Sequence, residues 1–530
     1  MIWKKEPAPP RPEFSEAAPL PALTPQYMRE MYPDYLQLVQ AQVFFRHGER
    51  TPITTRLTSN TTWDFCHHAN YLHSEFMKAI GQFAPLHEGL PIPSPEHLGQ
   101  KNPRYSKRTA TLKSGLEYEP AQWSVRLGSA EASKPADNWT SATCALGQLT
   151  DIGLDTLQRT GSHLRALYVD RLHLIPPGLQ SSARNWLYVR TTDYSRVIQS
   201  THALLVGLYP TQNGSWPAFN ADFLQKFPIH TRLHSNETLH GNFGCFNFIR
   251  HFMDARSRDA RRLKWIDDVY RQTAQLSSLG ATARTIMDKT QFGSNFHPIF
   301  DELMALTAHG LPLPSDLERS HLDNLGKAST HQWVGPVNTL EGQRLGFGRL
   351  LNEIVMTMTQ ATRPEPGRIG SQSNGDLLLA PGGISAPRAD QVPQVPRLAL
   401  YGCHDLTVAP LAIIMGDTDQ LWHPFATMLT FELFRDDKTP APLSNQRQQE
   451  LPRPPTLDAP VPPNHYVRVR LNDRVLEPPT CQAFGKHHPR MGPSMCTLEA
   501  FLEHVSPIIA TEKELAAECG EMPKSFQMED

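Results

Sequence analysis

The chain has 530 residues, more than one hydrophobic core usually holds, so two structural units are expected. A formal net charge of -2 excludes a globally basic nucleic-acid binder or a polybasic membrane-surface protein, and any anion site must be local. The 47 prolines exceed the ordinary share of about 5% and cluster in a few stretches, which points to long loops rather than a disordered chain.

Residues 1–30 form a Pro-rich leader, expected to be poorly ordered or draped on the surface. Met1 to Glu6 and the run Pro7 to Pro12 lack the apolar core of a secretory signal and the Arg-rich pattern of a transit peptide. No stretch approaches about 18 uninterrupted apolar residues, so no transmembrane helix is expected. Seven cysteines, an odd number, fit scattered thiols in a reduced compartment. Asn60, Asn138, Asn213 and Asn236 head Asn-x-Ser/Thr sequons, which are read as unmodified. A cytoplasmic protein is expected, with mitochondrial import or secretion by an unrecognised signal as the alternatives.

Leu36 to Phe45 reads as a buried strand that ends in Arg46-His47-Gly48-Glu49-Arg50-Thr51-Pro52. In open α/β sheets, ligands bind beyond the carboxyl ends of the strands. Two guanidiniums beside an imidazole, with a glycine that allows close backbone approach, suit a highly charged oxyanion such as phosphate. A lone Arg or His after a strand is more often a solvated turn. The order Arg-His-Gly-x-Arg-x-Pro on a buried strand argues against that here.

Residues 61–145 are irregular in pattern, and His67-His68 reads as a loop pair rather than a metal site. Thr150 is a candidate N-cap, and Ile152, Leu154, Leu157, Leu164 and Leu167 recur at helical spacing over 151–168. Trp186 to Val189 is a short strand ending in Arg190-Thr191-Thr192-Asp193, and a helix with Val197, Ile198, Leu204, Leu205 and Leu208 inward follows, stopping near Pro210. Residues 211–340 have helical patches but no strand alternation. Gly342 to Thr359 is a stronger helix, and 361–396 a Gly/Pro-rich excursion. Leu398 to Gly402 is a strand ending in Cys403-His404-Asp405, with a helix from Leu406 to Met415. Phe431 to Phe434 and Tyr466 to Leu471 are strands separated by a Pro-rich loop, 439–463. Asn472-Asp473 predicts a hairpin to Arg474-Val475-Leu476. Cys496 to Val505 is a terminal helix, and 511–530 a polar tail. Strands alternating with helices predict an α/β fold with a mainly parallel sheet.

The signature at 46–52, with Leu149-Thr150-x-x-Gly153, Val189 to Asp193, His404-Asp405 and the hairpin at 466–476 in that order, resembles the histidine acid phosphatases. Within that family it is similar to the prostatic and lysophosphatidate-phosphatase types. The resemblance implies a phosphoglycerate mutase-like core from 31–60, 146–210 and 341–510, and a largely helical cap from 61–145 and 211–340. It implies hydrolysis of phosphomonoesters through a phosphohistidine on His47, whose other ring N–H a backbone carbonyl holds. Arg46, Arg50 and Arg190 would clamp the phosphoryl oxygens, and His404 would donate a further hydrogen bond. Asp405, carrying a proton, would protonate the leaving oxygen, which implies an acid pH optimum. No metal or other cofactor is implied.

Taken singly, Arg190 also admits a lesser reading as a partner of Asp193, and His404-Asp405 one as a helix start with a dipole-matched acid; beside the first motif both become minor. Cys403 packs as a small apolar residue, and Glu49 is placed at the pocket mouth, where it would disfavour very acidic substrates. Cys481 and Cys496 match a cysteine pair of secreted relatives, which implies a disulfide only in an exported chain. The substrate is then a small phosphomonoester, a lipid phosphate included, with no nucleic acid or transmembrane segment and the oligomeric state left open. The alternatives are a phytase-like or lysophosphatidate phosphatase activity of the same fold, a phosphoglycerate-type mutase, and a catalytically weak binder of phosphorylated ligands. The Glu49 to Pro52 extension argues against the mutase.

Overall fold

A computed structural model describes residues 20–54, 61–70, 144–178, 186–210, 229–232, 236–287, 295–363, 395–419, 422–438 and 462–520. The excursion expected at 361–396, the Pro-rich loop at 439–463, the leader up to residue 19 and most of 61–145 lie outside the described residues.

One sheet organises the molecule. Its strands are β1 (Gln37–Arg46), β2 (Leu187–Thr191), β3 (Leu398–Cys403), β4 (Met428–Arg435), β5 (His465–Leu471), β6 (Arg474–Leu476), β7 (His487–His488) and β8 (Gly492–Thr497), in the order β2-β3-β1-β4-β5-β8-β7 with β6 beside β5. β2, β3 and β1 are parallel, whereas β1–β4, β4–β5, β5–β6, β5–β8 and β7–β8 are antiparallel. The sheet is therefore mixed rather than mainly parallel. β1 and β2 are each followed in the chain by helices that let the next strand enter parallel, whereas antiparallel neighbours such as β5 and β6 join through a tight turn. The hairpin expected at 466–476 is β5–β6, and Asn472 takes its turn with φ +54°.

Alternation along β1 explains why the sheet is covered on both sides. Phe44 points into one core with Leu350, Ile354, Val408, Leu411 and Phe501. Ala41, Val43 and Phe45 point into the other, with Leu154, Leu157, Leu204 and Leu205. The first face is covered by α9 (Leu340–Ala361), α10 (Asp405–Ile414) and α11 (Leu498–Val505), the second by α2 (Asp151–Leu164) and α3 (Ser195–Leu208). Thr150 caps α2 as expected, its hydroxyl accepting from Gly153 N. α2 runs on as a π-helical stretch to Arg171, past the predicted end at 168.

Between β2 and α9 the chain forms α4 (Phe246–Arg262), α5 (Lys264–Gln275), α6 (Gly280–Met287), α7 (His297–Ala308) and α8 (Arg319–Val334). α5 to α8 enclose a separate apolar cluster that includes Ile266, Phe296, Leu303 and Leu325. Among the described residues no helix is long and apolar enough to cross a membrane.

Three local expectations change. Part of the leader is a helix, α1 (Pro25–Met31), capped by Thr24 and with Pro25 at its first position, where its missing N–H costs nothing. Cys496 belongs to β8 rather than to the terminal helix, and the polar tail contains α12 (Glu512–Glu518) with Thr511–Glu514 as a capping box. Six of the seven cysteines pair, as Cys66–Cys144, Cys245–Cys519 and Cys481–Cys496, and only Cys403 is a buried free thiol. Two of these pairs join positions 78 and 274 apart in sequence. Spacing could not reveal them, and the reading as scattered thiols gives way.

The second core contains a buried charge. Glu432 on β4 is fully enclosed and accepts from Tyr32 Oη (2.7 Å), Tyr168 Oη (3.0 Å), Arg468 Nη2 (2.8 Å) and Arg470 Nη2 (3.2 Å). Burial alone would raise its carboxyl, but Arg470 and Arg468 hold it down at about 2. Because the folded value lies below the unfolded one, this carboxylate stabilises the fold above the ordinary Glu range and loses its effect as pH falls toward 2. Glu432→Ala would strand Arg468 and Arg470 without their counter-charge. It should cost about 3–5 kcal/mol, read as a lower denaturant midpoint at pH 6 and a smaller deficit at the acid end.

Candidate active site

The site forms where the parallel strands end. Arg46 closes β1, Cys403 closes β3 in register with it, and His404 and Asp405 begin α10 directly after. The turn after β1 packs on the first turn of α2. A Cβ on Gly48 would lie 2.4 Å from Gly153 O, and one on Gly153 2.3 Å from Glu49 O. The close approach that Gly48 permits is therefore to the backbone of α2, which ties the Leu-Thr-x-x-Gly motif to the Arg-His-Gly motif. Gly48 N also donates to Ser200 Oγ of α3 (3.1 Å).

His47 is buried, and its Nδ1 lies 2.9 Å from Gly48 O. Donation to that carbonyl leaves Nε2 with a lone pair. Burial lowers the His47 pKa well below the usual imidazole range, with Arg196, Arg46, Arg50 and His404 adding to the shift. His404 lies edge-on to His47 with ring centroids 5.6 Å apart, and its Nε2 is 2.9 Å from Thr192 Oγ1.

The cations differ in how they are engaged. Arg46 pairs with Asp405 (Nη2–Oδ2, 2.7 Å) and donates to His423 O (2.5 Å). Arg50 forms a two-pronged pair with Asp301 of α7 (2.6 and 3.2 Å). Burial raises the Asp301 carboxyl, but Arg50 brings it down to about 2. Asp301 also accepts from Ile53 N (2.9 Å), so the helical segment grips the loop after the motif. Both guanidiniums stand over the Phe425 ring, at 4.3 and 5.7 Å.

Arg190 is engaged elsewhere. It meets Glu353 (2.7 Å), Thr238 Oγ1 (2.9 Å) and Glu237 (3.5 Å). Its partners are thus neither the groups around His47 nor Asp193, the partner weighed from sequence. Arg196, two residues into α3, is the nearer cation electrostatically, the second influence after burial on both His47 and His404. It makes no hydrogen bond or ion pair with any described residue and lies over the Tyr194 ring at 4.8 Å. Its charge acts on His47 and His404, and burial with Arg50 nearby lowers its own pKa to about 10. A cation in the first turn of a helix opposes the macrodipole. That mismatch is the signal from which the sequence could have yielded Arg196. Glu49 is buried and accepts from Thr156 Oγ1 (3.2 Å), so it does not line a pocket mouth.

The arrangement can hold a tetrahedral anion against a neutral imidazole nitrogen, with a carboxyl at hand on the far side of Arg46. Residues 37–472 match the model of the histidine phosphatase superfamily, branch 2. A probable acid phosphatase of Schizosaccharomyces pombe is 26% identical over 78% of this chain and 76% of its own length. A lysophosphatidic acid phosphatase type 6 of Pongo abelii is 26% identical over 54% of this chain and 57% of its own. Among solved structures, the phytase of Citrobacter braakii superposes with a TM-score of 0.50 at 13% identity, covering 90% of this chain and 99% of its own, a likeness of fold.

The direction of the His47 shift sets a test. An imidazole with a depressed pKa stays unprotonated as pH falls through the usual range near 6.5. In a 15N-labelled sample at pH 5, the His47 ring should give the neutral pattern with the proton on Nδ1, while exposed histidines give the charged one.

Proposed function

Because the chain belongs to branch 2 of the histidine phosphatase superfamily, we propose that it hydrolyses phosphomonoesters through a phosphohistidine on His47. Nε2 of His47 attacks the phosphorus and the ester oxygen departs, taking a proton from Asp405. Water then releases phosphate and restores the imidazole. The observation that carries the reading is the neutral, Nδ1-anchored His47 in a recess lined by Arg46, Arg50 and Arg196. Arg196, which makes no ion pair with any described residue, takes the third phosphoryl oxygen, a role the sequence reading gave to Arg190. Arg190 serves instead to brace β2 against Glu353 of α9. His404 donates to the transferring group.

The helices between β2 and α9 act as the cap, and Asp301 is their contribution to the phosphate cradle. Three disulfides favour an oxidising compartment over the cytoplasm. The substrate is a small phosphomonoester, the class to which lysophosphatidate also belongs.

Hydrolysis of p-nitrophenyl phosphate from pH 3 to 9 with excess chelator should peak in acid and fall to background in His47→Ala. Arg196→Ala should lower kcat/KM about 10- to 100-fold, the worth of one charged hydrogen bond. Arg190→Ala should chiefly lower the melting temperature. Activity untouched by His47→Ala would overturn the assignment, and a larger kcat/KM loss in Arg190→Ala than in Arg196→Ala would return the clamp to Arg190.

A further inference from the structure

The phosphoryl end of the recess is fully described by the groups above, but its outer wall contains a side chain that the reaction does not use. His297 is the first residue of α7, one helical turn before Asp301, so both project from the same face. Asp301 grips Arg50, which brings that face against the cradle. The His297 ring is held between two indoles, Trp333 and Trp422, each with centroids 5.2 Å away. Trp422 precedes His423, whose carbonyl accepts from Arg46, the partner of Asp405. His297 is thus fixed from two sides, through α7 toward Arg50 and through Trp422 toward Arg46 and Asp405.

Three further observations distinguish it from a packed core histidine. The residue keeps part of its surface exposed. Neither ring nitrogen hydrogen-bonds to any described residue, whereas His47, His404 and His423 each have a partner or a backbone link. Burial, the largest influence, lowers its pKa, and Asp301, Asp405, Arg50 and Arg46 all act on it electrostatically. A neutral imidazole offers one N–H donor and one lone-pair acceptor. Beside Asp405, which faces the departing oxygen, those groups are placed for the alcohol portion of the substrate rather than for its phosphate.

Resting on the reading that His47 and Asp405 cleave phosphomonoesters, we propose that His297 is a specificity-determining residue that hydrogen-bonds a hydroxyl on the leaving alcohol. The enzyme then favours monophosphates of hydroxylated alcohols, of the glycerol type. A second phosphate on the leaving group would meet a ring flanked by indoles, with the charges of Asp301 and Asp405 acting on it.

The test compares glycerol 1-phosphate with phenyl phosphate, whose leaving group has no hydroxyl beyond the ester oxygen. His297→Phe keeps a ring between the indoles and removes both hydrogen-bonding groups. It should lower kcat/KM for glycerol 1-phosphate about tenfold, the worth of one hydrogen bond, and leave phenyl phosphate within about twofold of wild type. His297→Gln, which retains a donor and an acceptor, should recover most of the loss. A change that is parallel on the two substrates, or absent on both, would overturn the proposal, as would a selective loss that His297→Gln does not relieve. Wild-type enzyme that hydrolyses neither compound would instead defeat the phosphatase reading itself.

Discussion

The structure depends on keeping three guanidiniums together beyond the ends of β1 and β2, which flank β3 in the sheet. Like charges a few ångströms apart in a recess with little water repel strongly, and each also forgoes hydration. Two of the three are answered. Asp405 neutralises Arg46, and Asp301 neutralises Arg50. Each carboxylate comes from a different part of the chain, one from the helix that follows β3 and one from the helical segment before α9. The third, Arg196, is left to its contact with the Tyr194 ring. The result is one positive charge in excess at this site, in a protein whose formal net charge is -2.

The Glu432 cluster makes the contrast clear. There a single carboxylate is met by two arginines and two tyrosines, all enclosed. Both carboxylate oxygens have their hydrogen-bonding capacity filled by the protein itself, and the cluster has no chemistry left to do. The two sites use the same residue types. They differ in which partner the fold withholds.

Local signals made much of this legible. The strand and turn at 37–50 and the strand–turn–helix units at 187–208 and 398–414 are visible because apolar strands, turn residues and, in the latter two, helical periodicity follow each other closely. His47, Arg46, Arg50, His404 and Asp405 come together because each follows or closes the carboxyl end of a parallel strand. What escaped was non-local. Asp301 reaches Arg50 across 251 positions, and nothing near either residue announces the other. Arg190 was favoured because it ends a strand, yet its side chain turns to Glu353, 163 positions away. Arg196 was passed over because it lies inside a helix, although its position in the first turn ran against the dipole. The mixed sheet went unread because β4 and β5 have the same composition that parallel neighbours would have.

The chain order of the sheet has a consequence for synthesis. β1, which carries His47, is made first, but both of its neighbours, β3 and β4, lie beyond residue 397. At a ribosomal rate of about 5–20 residues per second, some 350 residues must follow before β1 can be flanked. For roughly twenty to seventy seconds this strand has no partner on either edge. The nucleophile is thus among the earliest parts of the protein to be translated and among the last to be placed. A nascent chain that must wait so long with an open strand is one that a holding chaperone would be expected to cover.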